Sequence, residues 1–172
     1  MGSSSEIVAI VDEANQITGQ ASRAEMRAGK LIHRACYVLV FSSHGELFVQ
    51  QRTLTKDIYP GFYDVAAGGV VLAGEGYEES AQRELAEELG ITAELTFAFD
   101  HFHDGPDNRV WGRVFTCRHD GPMRLQVEEV AEGFFLALSE VLALSRRESF
   151  TPDGIKILEH LIEREPGVAS NE

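Results

Sequence analysis

The chain has 172 residues, 44% of them hydrophobic, enough to bury about 70% of its unfolded surface around one core. Its 28 acidic and 15 basic residues leave a formal charge of -13, which repels nucleic acid and anionic membrane surfaces, because the basic residues form no cluster in the sequence. A polyanionic small molecule would need metal cations to bridge it to so acidic a chain.

The first five residues and the tail GVASNE read as frayed ends. The run IVAIVDEANQITGQ reads as two short strands around a polar turn, and SRAEMRAGK as a short helix capped by Ser22. Together they form an N-terminal extension over residues 6–30. ACYVLVF and ELFVQQR, joined by a turn containing Gly45, make a second hairpin, and YDVAAGGVV supplies one further apolar strand. After an acidic segment come the strands LTFAFDHFH and RVWGRVFTCR, linked by the turn formers of DGPDN, and a last strand GFFLAL. One helix starts near Ser139. Another, over residues 151–165, has Thr151 as cap, Pro152 at its first position, apolar Ile155, Leu158, Leu161 and Ile162, and Pro166 as stop. The alternation of strands and helices predicts one α/β domain over residues 1–172, a mixed sheet with helices on both faces. Cys36 and Cys117 lie in apolar runs and read as buried free thiols, which suits a reducing cytoplasm. No apolar run approaches membrane-helix length, and MGSSSEIVAI lacks the features of a signal peptide.

The acidic segment carries six glutamates between Glu75 and Glu88 and a single arginine. From Glu78 to Leu89 its period is helical: Ala81, Leu85 and Leu89 form an apolar stripe, and Gly90 stands where helices commonly end. Glu84, Glu87 and Glu88 fall within an arc of roughly 100° beside that stripe. On a solvated face such charges cost only about 0.2–0.5 kcal/mol per pair. Held about 5 Å apart near protein, each pair would repel by roughly 3 kcal/mol, and a divalent cation would relieve it. Oxygen donors of this kind suit magnesium or manganese.

The spacing decides between those readings. From Gly69 the sequence runs glycine, five residues, Glu75, seven residues, Arg83-Glu84-Leu85, one residue, Glu87-Glu88, one residue, Gly90-Ile91. At about 7% usage per residue, a chance match falls below roughly one in a million. Over residues 69–91 the chain therefore resembles the Nudix hydrolases, and the similarity extends upstream through LFVQQRTLTKDIYPGFYDVAAGG to cover roughly residues 33–140. The resemblance implies an α/β/α sandwich with a mixed sheet, here with an N-terminal hairpin extension, and hydrolysis of a diphosphate linked to another moiety. It implies Glu84, Glu87 and Glu88 as ligands of Mg2+ or Mn2+ with the Gly68 carbonyl, mainly structural roles for Glu75 and for Arg83, which orients the carboxylates, and a further glutamate among Glu128, Glu129 and Glu132, of which Glu129 is favoured. Glu84 is the first candidate for general base, since it begins the cluster and can accept a proton from water held by a metal.

Other residues are read against plainer roles. Arg52, at the end of a strand, is a phosphate clamp or a surface ion pair, and Lys56 is a second substrate-binding candidate. His101 and His103 share a strand face near Asp104, as a second metal site, a substrate contact or an ordinary strand-end pair. Trp111, Tyr59 and Tyr63 stack on a base or pack in the core. The N-terminal region is also similar to isopentenyl diphosphate isomerase; that chemistry needs a cysteine and a histidine where this chain has Gly68 and Val70, and of its metal-binding histidines His33 matches one while the companion is replaced near Met26. A ligand-sensing module on the same fold is the rival outside catalysis. The expected substrate is a nucleoside di- or triphosphate, or a nucleoside diphosphate joined to another group, acted on by a monomer or homodimer.

Overall fold

The structure, a computed structural model, describes residues 4–169. The outermost residues of both expected frayed ends lie outside that range. The described parts of those ends are fastened: the Ser4 carbonyl accepts from Ala24 N at 3.1 Å, and Val168 packs on the core.

In chain order the elements are β1 (Ile7–Val11), β2 (Ile17–Ser22), α1 (Arg23–Gly29), β3 (His33–Phe41), β4 (Leu47–Arg52), β5 (Tyr63–Asp64), β6 (Ala67–Val70), α2 (Tyr77–Leu89), β7 (Thr96–Asp104), β8 (Arg109–Arg118), β9 (Val130–Leu136), α3 (Leu138–Ser145), α4 (Pro152–Arg164) and α5 (Pro166–Ala169). Ser22 caps α1 as its sequence predicts: its side chain accepts from Glu25 N while the Glu25 carboxylate accepts from Ser22 N, so two end donors are satisfied.

Strand β3 is the hub. It pairs parallel with β8 along its whole length and antiparallel with β6, while β7 flanks β8 antiparallel. Its period of two explains its almost complete burial. Ala35, Tyr37, Leu39 and Phe41 face a core closed by Leu138 and Val141 of α3 and Ile157, Leu158 and Leu161 of α4. Cys36, Val38 and Val40 face a second core closed by Tyr77, Ala81, Leu85 and Leu89 of α2. The result is helix, mixed sheet, helix. Each fully buried leucine in these layers stabilises the fold by about 1.5–3 kcal/mol. Cys36 and Cys117 are free and buried.

Four expectations are corrected. YDVAAGGVV is not one strand: β5 pairs with β4 and β6 with β3, so the chain crosses between partners at Val65 and Ala66. The last strand begins three residues earlier than GFFLAL and ends at Leu136, because Leu138 is drawn into the core as the first residue of α3. Thr151 stands at the cap position of α4 but its hydroxyl makes no capping bond. Pro166 ends α4 and also opens α5.

Beyond the turn at Gly45, β3 and β4 meet only at Phe41 and Leu47. Past that point β4 leaves with β5 and β9, and a cleft opens between the diverging strands.

Candidate active site

One wall of the cleft includes Gly68, Gly69 and Val70, and the acidic segment stands directly behind those glycines. The buried stripe of α2 is Tyr77, Ser80, Ala81, Glu84, Leu85, Glu88 and Leu89. Glu84 and Glu88, one turn apart, are thus part of the buried face rather than beside it, at 8% and 5% exposure. Glu87 lies at the rim of the arc, its side chain 38% exposed.

Two glycines admit the carboxylates. A Cβ on Gly69 would meet Glu84 Oε1 at 2.8 Å. Gly68, at φ 150°, could carry no Cβ at all, since one would stand 2.0 Å from the Cys36 carbonyl oxygen. Gly68 meets the cluster through its N–H, which donates to Glu88 Oε2 at 3.3 Å; Gln50 Nε2 donates to the same oxygen at 3.4 Å. Burial, and then the neighbouring Glu84 charge, push the Glu88 pKa well above the carboxylate range. Burial raises that of Glu84 too, against the pull of Arg83.

Arg83 ties the segment together. Its Nε and Nη2 grip Glu75 at 2.7 and 2.9 Å, and its Nη1 donates to Glu84 Oε1 at 2.9 Å and Glu87 Oε2 at 3.3 Å. Burial would raise the Glu75 pKa, but these two-pronged bonds bring it below its ordinary value. One guanidinium therefore pins the loop carboxylate to the helix and orients two more. Among the described residues, no three His, Cys, Asp or Glu side chains converge as a metal cage. The donor chemistry nonetheless fits a hard divalent cation: two buried, mutually repelling carboxylates, with the unpartnered Gln50 Oε1 also buried on the residue that contacts Glu88.

The rest of the lining gathers four cations beside Asp64 and Asp153, which the spread of basic residues along the chain did not suggest. Arg23 and Arg27 of α1, Arg52 at the end of β4, and Lys56 line the same cleft as Gly68 and Gly69. Met26, buried against Val8 and Val70, seats α1 so that both arginines face inward. Arg52 Nε and Nη2 donate to the Ile58 carbonyl at 3.2 and 2.9 Å, and its Nη1 lies 3.8 Å from Asp64. Lys56 forms an ion pair with Glu129, and its charge reaches Glu88. Of the three glutamates in its segment, Glu129 is the one paired with Lys56 of the cleft lining; Glu128 and Glu132 are exposed. The motif and its spacing did not point to Arg23, Arg27, Asp57, Asn108 or Gln50. The one local signal was the spacing of four between Arg23 and Arg27 on a helix in an acidic chain.

The remaining candidates separate. His101 and His103 lie on β7, outside the residues that line the cleft; burial lowers both pKa values, and His101 Nε2 and His103 Nδ1 are buried without partners. Asp104 turns away to Arg109 at 2.7 Å. Trp111 stacks on Phe102 at 5.0 Å and Tyr63 on Phe150 at 5.5 Å, so both rings are used in packing. Tyr59 stacks on Phe62 and lines the cleft.

The NUDIX domain family model matches residues 31–161. The chain belongs to the Nudix hydrolases. It is 46% identical to the protein named "Uncharacterized Nudix hydrolase PA4841" from Pseudomonas aeruginosa, over 91% of this chain and 93% of that one. It is 48% identical to "Uncharacterized Nudix hydrolase YfcD" of Escherichia coli K12, over 90% and 86%. Among solved structures it is similar to DR0079 from Deinococcus radiodurans, with TM-score 0.77, 25% identity and coverage of 92% and 98%. The NUDIX domain of Shewanella oneidensis NrtR, solved with ADP ribose, shares the fold at TM-score 0.64 and 17% identity, over 84% and 99%. The Nudix architecture thus spans most of the chain, with α1 contributing to its cleft.

Proposed function

We propose that this Nudix hydrolase is a pyrophosphohydrolase that uses Mg2+ or Mn2+ to cleave the diphosphate of a nucleoside di- or triphosphate, or of a nucleoside diphosphate joined to another group. One observation carries the reading: two buried carboxylates one helical turn apart rest on glycines whose other side lines a cation-rich cleft. Glu84 and Glu88, with Glu87 and the Gly68 carbonyl, would hold the cation. When bound, it neutralises phosphate charge and acidifies water.

The chain's own residues do the rest. Arg52 and Lys56 hold the diphosphate and offset its charge where it meets the acidic wall. Glu84, which begins the cluster and lies behind Gly69 of the cleft lining, accepts the proton of the attacking water. Arg83 keeps Glu84 and Glu87 in place rather than touching substrate. Glu129, leaving Lys56, supplies a further carboxylate. Free buried thiols suit work in a reducing compartment such as the cytoplasm.

The test is a panel of nucleotides, sugar nucleotides, dinucleotides and coenzyme pyrophosphates with magnesium or manganese, read by product identity. Metal-dependent release of phosphorylated products that Glu88→Gln abolishes is the expected result. Calorimetric binding of nucleotides with no product from any of them would replace the reading with a sensing module.

A further inference from the structure

The two arginines of α1 converge on one carboxylate. Arg23 Nε donates to Asp57 Oδ2 at 2.9 Å and its Nη2 to Oδ1 at 3.5 Å, while Arg27 Nε donates to Oδ2 at 3.1 Å. Each guanidinium is braced on its far side, Arg27 Nη1 by Asn108 Oδ1 at 3.1 Å and Arg23 Nη1 by Glu6 at 3.7 Å. The arginine side chains are 9% and 19% exposed, that of Asp57 35%. The two cations are therefore each held from two sides in the cleft wall, and Asp57 is the most exposed of the three.

We propose that Arg23 and Arg27 form a subsite for a terminal phosphoryl group of the substrate, and that Asp57 fills this subsite as an internal stand-in until substrate displaces it. The inference rests on the pyrophosphohydrolase reading for the identity of the substrate. Its chemistry follows from counting. Three N–H donors and two positive charges, one of them also paired with Glu6, face a group that offers two oxygens and one negative charge. A terminal phosphoryl group offers three oxygens and close to two charges at neutral pH, so it satisfies the same donors better. A phosphoryl group inside a chain capped at both ends has two free oxygens and one charge, and gains nothing over Asp57. The subsite thus favours substrates that end in phosphate, such as nucleoside di- and triphosphates, over diphosphates capped on both sides. Arg52, whose charge reaches Arg27, and Lys56, whose charge reaches Glu88, line the same cleft and would carry the neighbouring phosphoryl group.

The test is calorimetric titration of the whole chain in EDTA with inorganic pyrophosphate and, separately, with its P1,P2-dimethyl diester. Asp57→Asn is expected to tighten pyrophosphate binding about tenfold and Arg27→Ala to weaken it about tenfold. Neither variant should shift binding of the diester, and Asp57→Asn should lose its gain in the Arg27→Ala background. Arg27→Gln, which keeps most of the stem, serves if truncation disturbs α1. Equal pyrophosphate affinity in wild type and Asp57→Asn, no binding to either, or equal shifts with the diester would each overturn the subsite and leave Asp57 as a structural tie. Because no metal or turnover enters this measurement, its failure leaves the hydrolase reading standing, and a wild type inert on every nucleotide leaves the binding result intact.

Discussion

The two walls of the cleft are built in opposite ways. The acidic wall comes from a single stretch, Gly68 to Gly90, in which one helix, one arginine and two glycines place every group. The cationic wall comes from α1, the end of β4 and the segment after it, brought together by Met26 packing under α1 and by the separation of β3 from β4. Local construction makes the first wall rigid and costly, since it keeps like charges buried. Distributed construction leaves the second adjustable, with cations satisfied by Asp57, Glu129 and a loop carbonyl until a ligand replaces them.

The contrast is broken most directly at Glu88. Glu88→Gln should cut turnover at least about a hundredfold while the melting temperature holds or rises, because the neutral amide no longer carries the desolvation cost that burial imposes on the carboxylate. Unchanged turnover would remove the acidic wall from the chemistry; a lower melting temperature would mean that its charges are not the burden described. Next in size is Gly68→Ala. A Cβ forced against the backbone carbonyl of Cys36 cannot be relieved by a rotamer change, so equilibrium unfolding should show a loss of about 4 kcal/mol or more.

Much of the first wall was legible because spacing along a helix is spacing in space. The apolar period implied the helix and its stop at Gly90, and the motif supplied the role proposed for the segment. It did not imply the inward seating of Glu84 and Glu88, which follows from glycines on a neighbouring strand. The second wall was illegible for a physical reason. Arg23, Arg27, Arg52 and Lys56 are spread over thirty-four residues with acidic ones among them, and only the packing of α1 against β1 and β6 turns them into a cluster. The strand YDVAAGGVV misled for a related reason: its composition is continuous, but its two halves serve different partners.

On the cationic side, His33 gives a smaller and pH-dependent effect. It is 2% exposed, its Nδ1 meets the Leu31 carbonyl at 3.0 Å, and burial, with Arg27 and Arg23 nearby, lowers its pKa to about 4. The unfolded chain takes up a proton near pH 6.5 and the folded one only near pH 4. The neutral imidazole's contribution is therefore complete above about pH 6.5 and is lost as pH falls toward 4, by up to about 3 kcal/mol. Asp64 works in the opposite sense, since burial and the nearby Asp153 raise its pKa to about 6 and acid relieves its charge. The wild-type profile therefore hides both, and the stability difference between wild type and His33→Gln, followed from pH 7 to 4, isolates one. A constant difference would show that His33 protonates freely in the folded protein and that this wall is more open than its burial implies.

The smallest stability effect, and the sharpest probe of the acidic wall, belongs to Glu87. Its carboxylate is more than a third exposed and accepts from Arg83 Nη1 on the outer side of the helix. Glu87→Gln should change unfolding free energy by no more than about 0.5 kcal/mol, as for other exposed i,i+4 pairs. To reach a cation beside Glu84 and Glu88 it must first leave Arg83, so its loss should reduce turnover less than the loss of Glu88 and should raise the manganese concentration needed for half-maximal rate. Turnover measured across a manganese titration in both variants separates the cases. If Glu87→Gln is as damaging as Glu88→Gln at saturating metal, Arg83 does not hold Glu87 in the working enzyme, and the acidic wall closes around its ion by the same exchange of partners that the cationic wall uses for its anion.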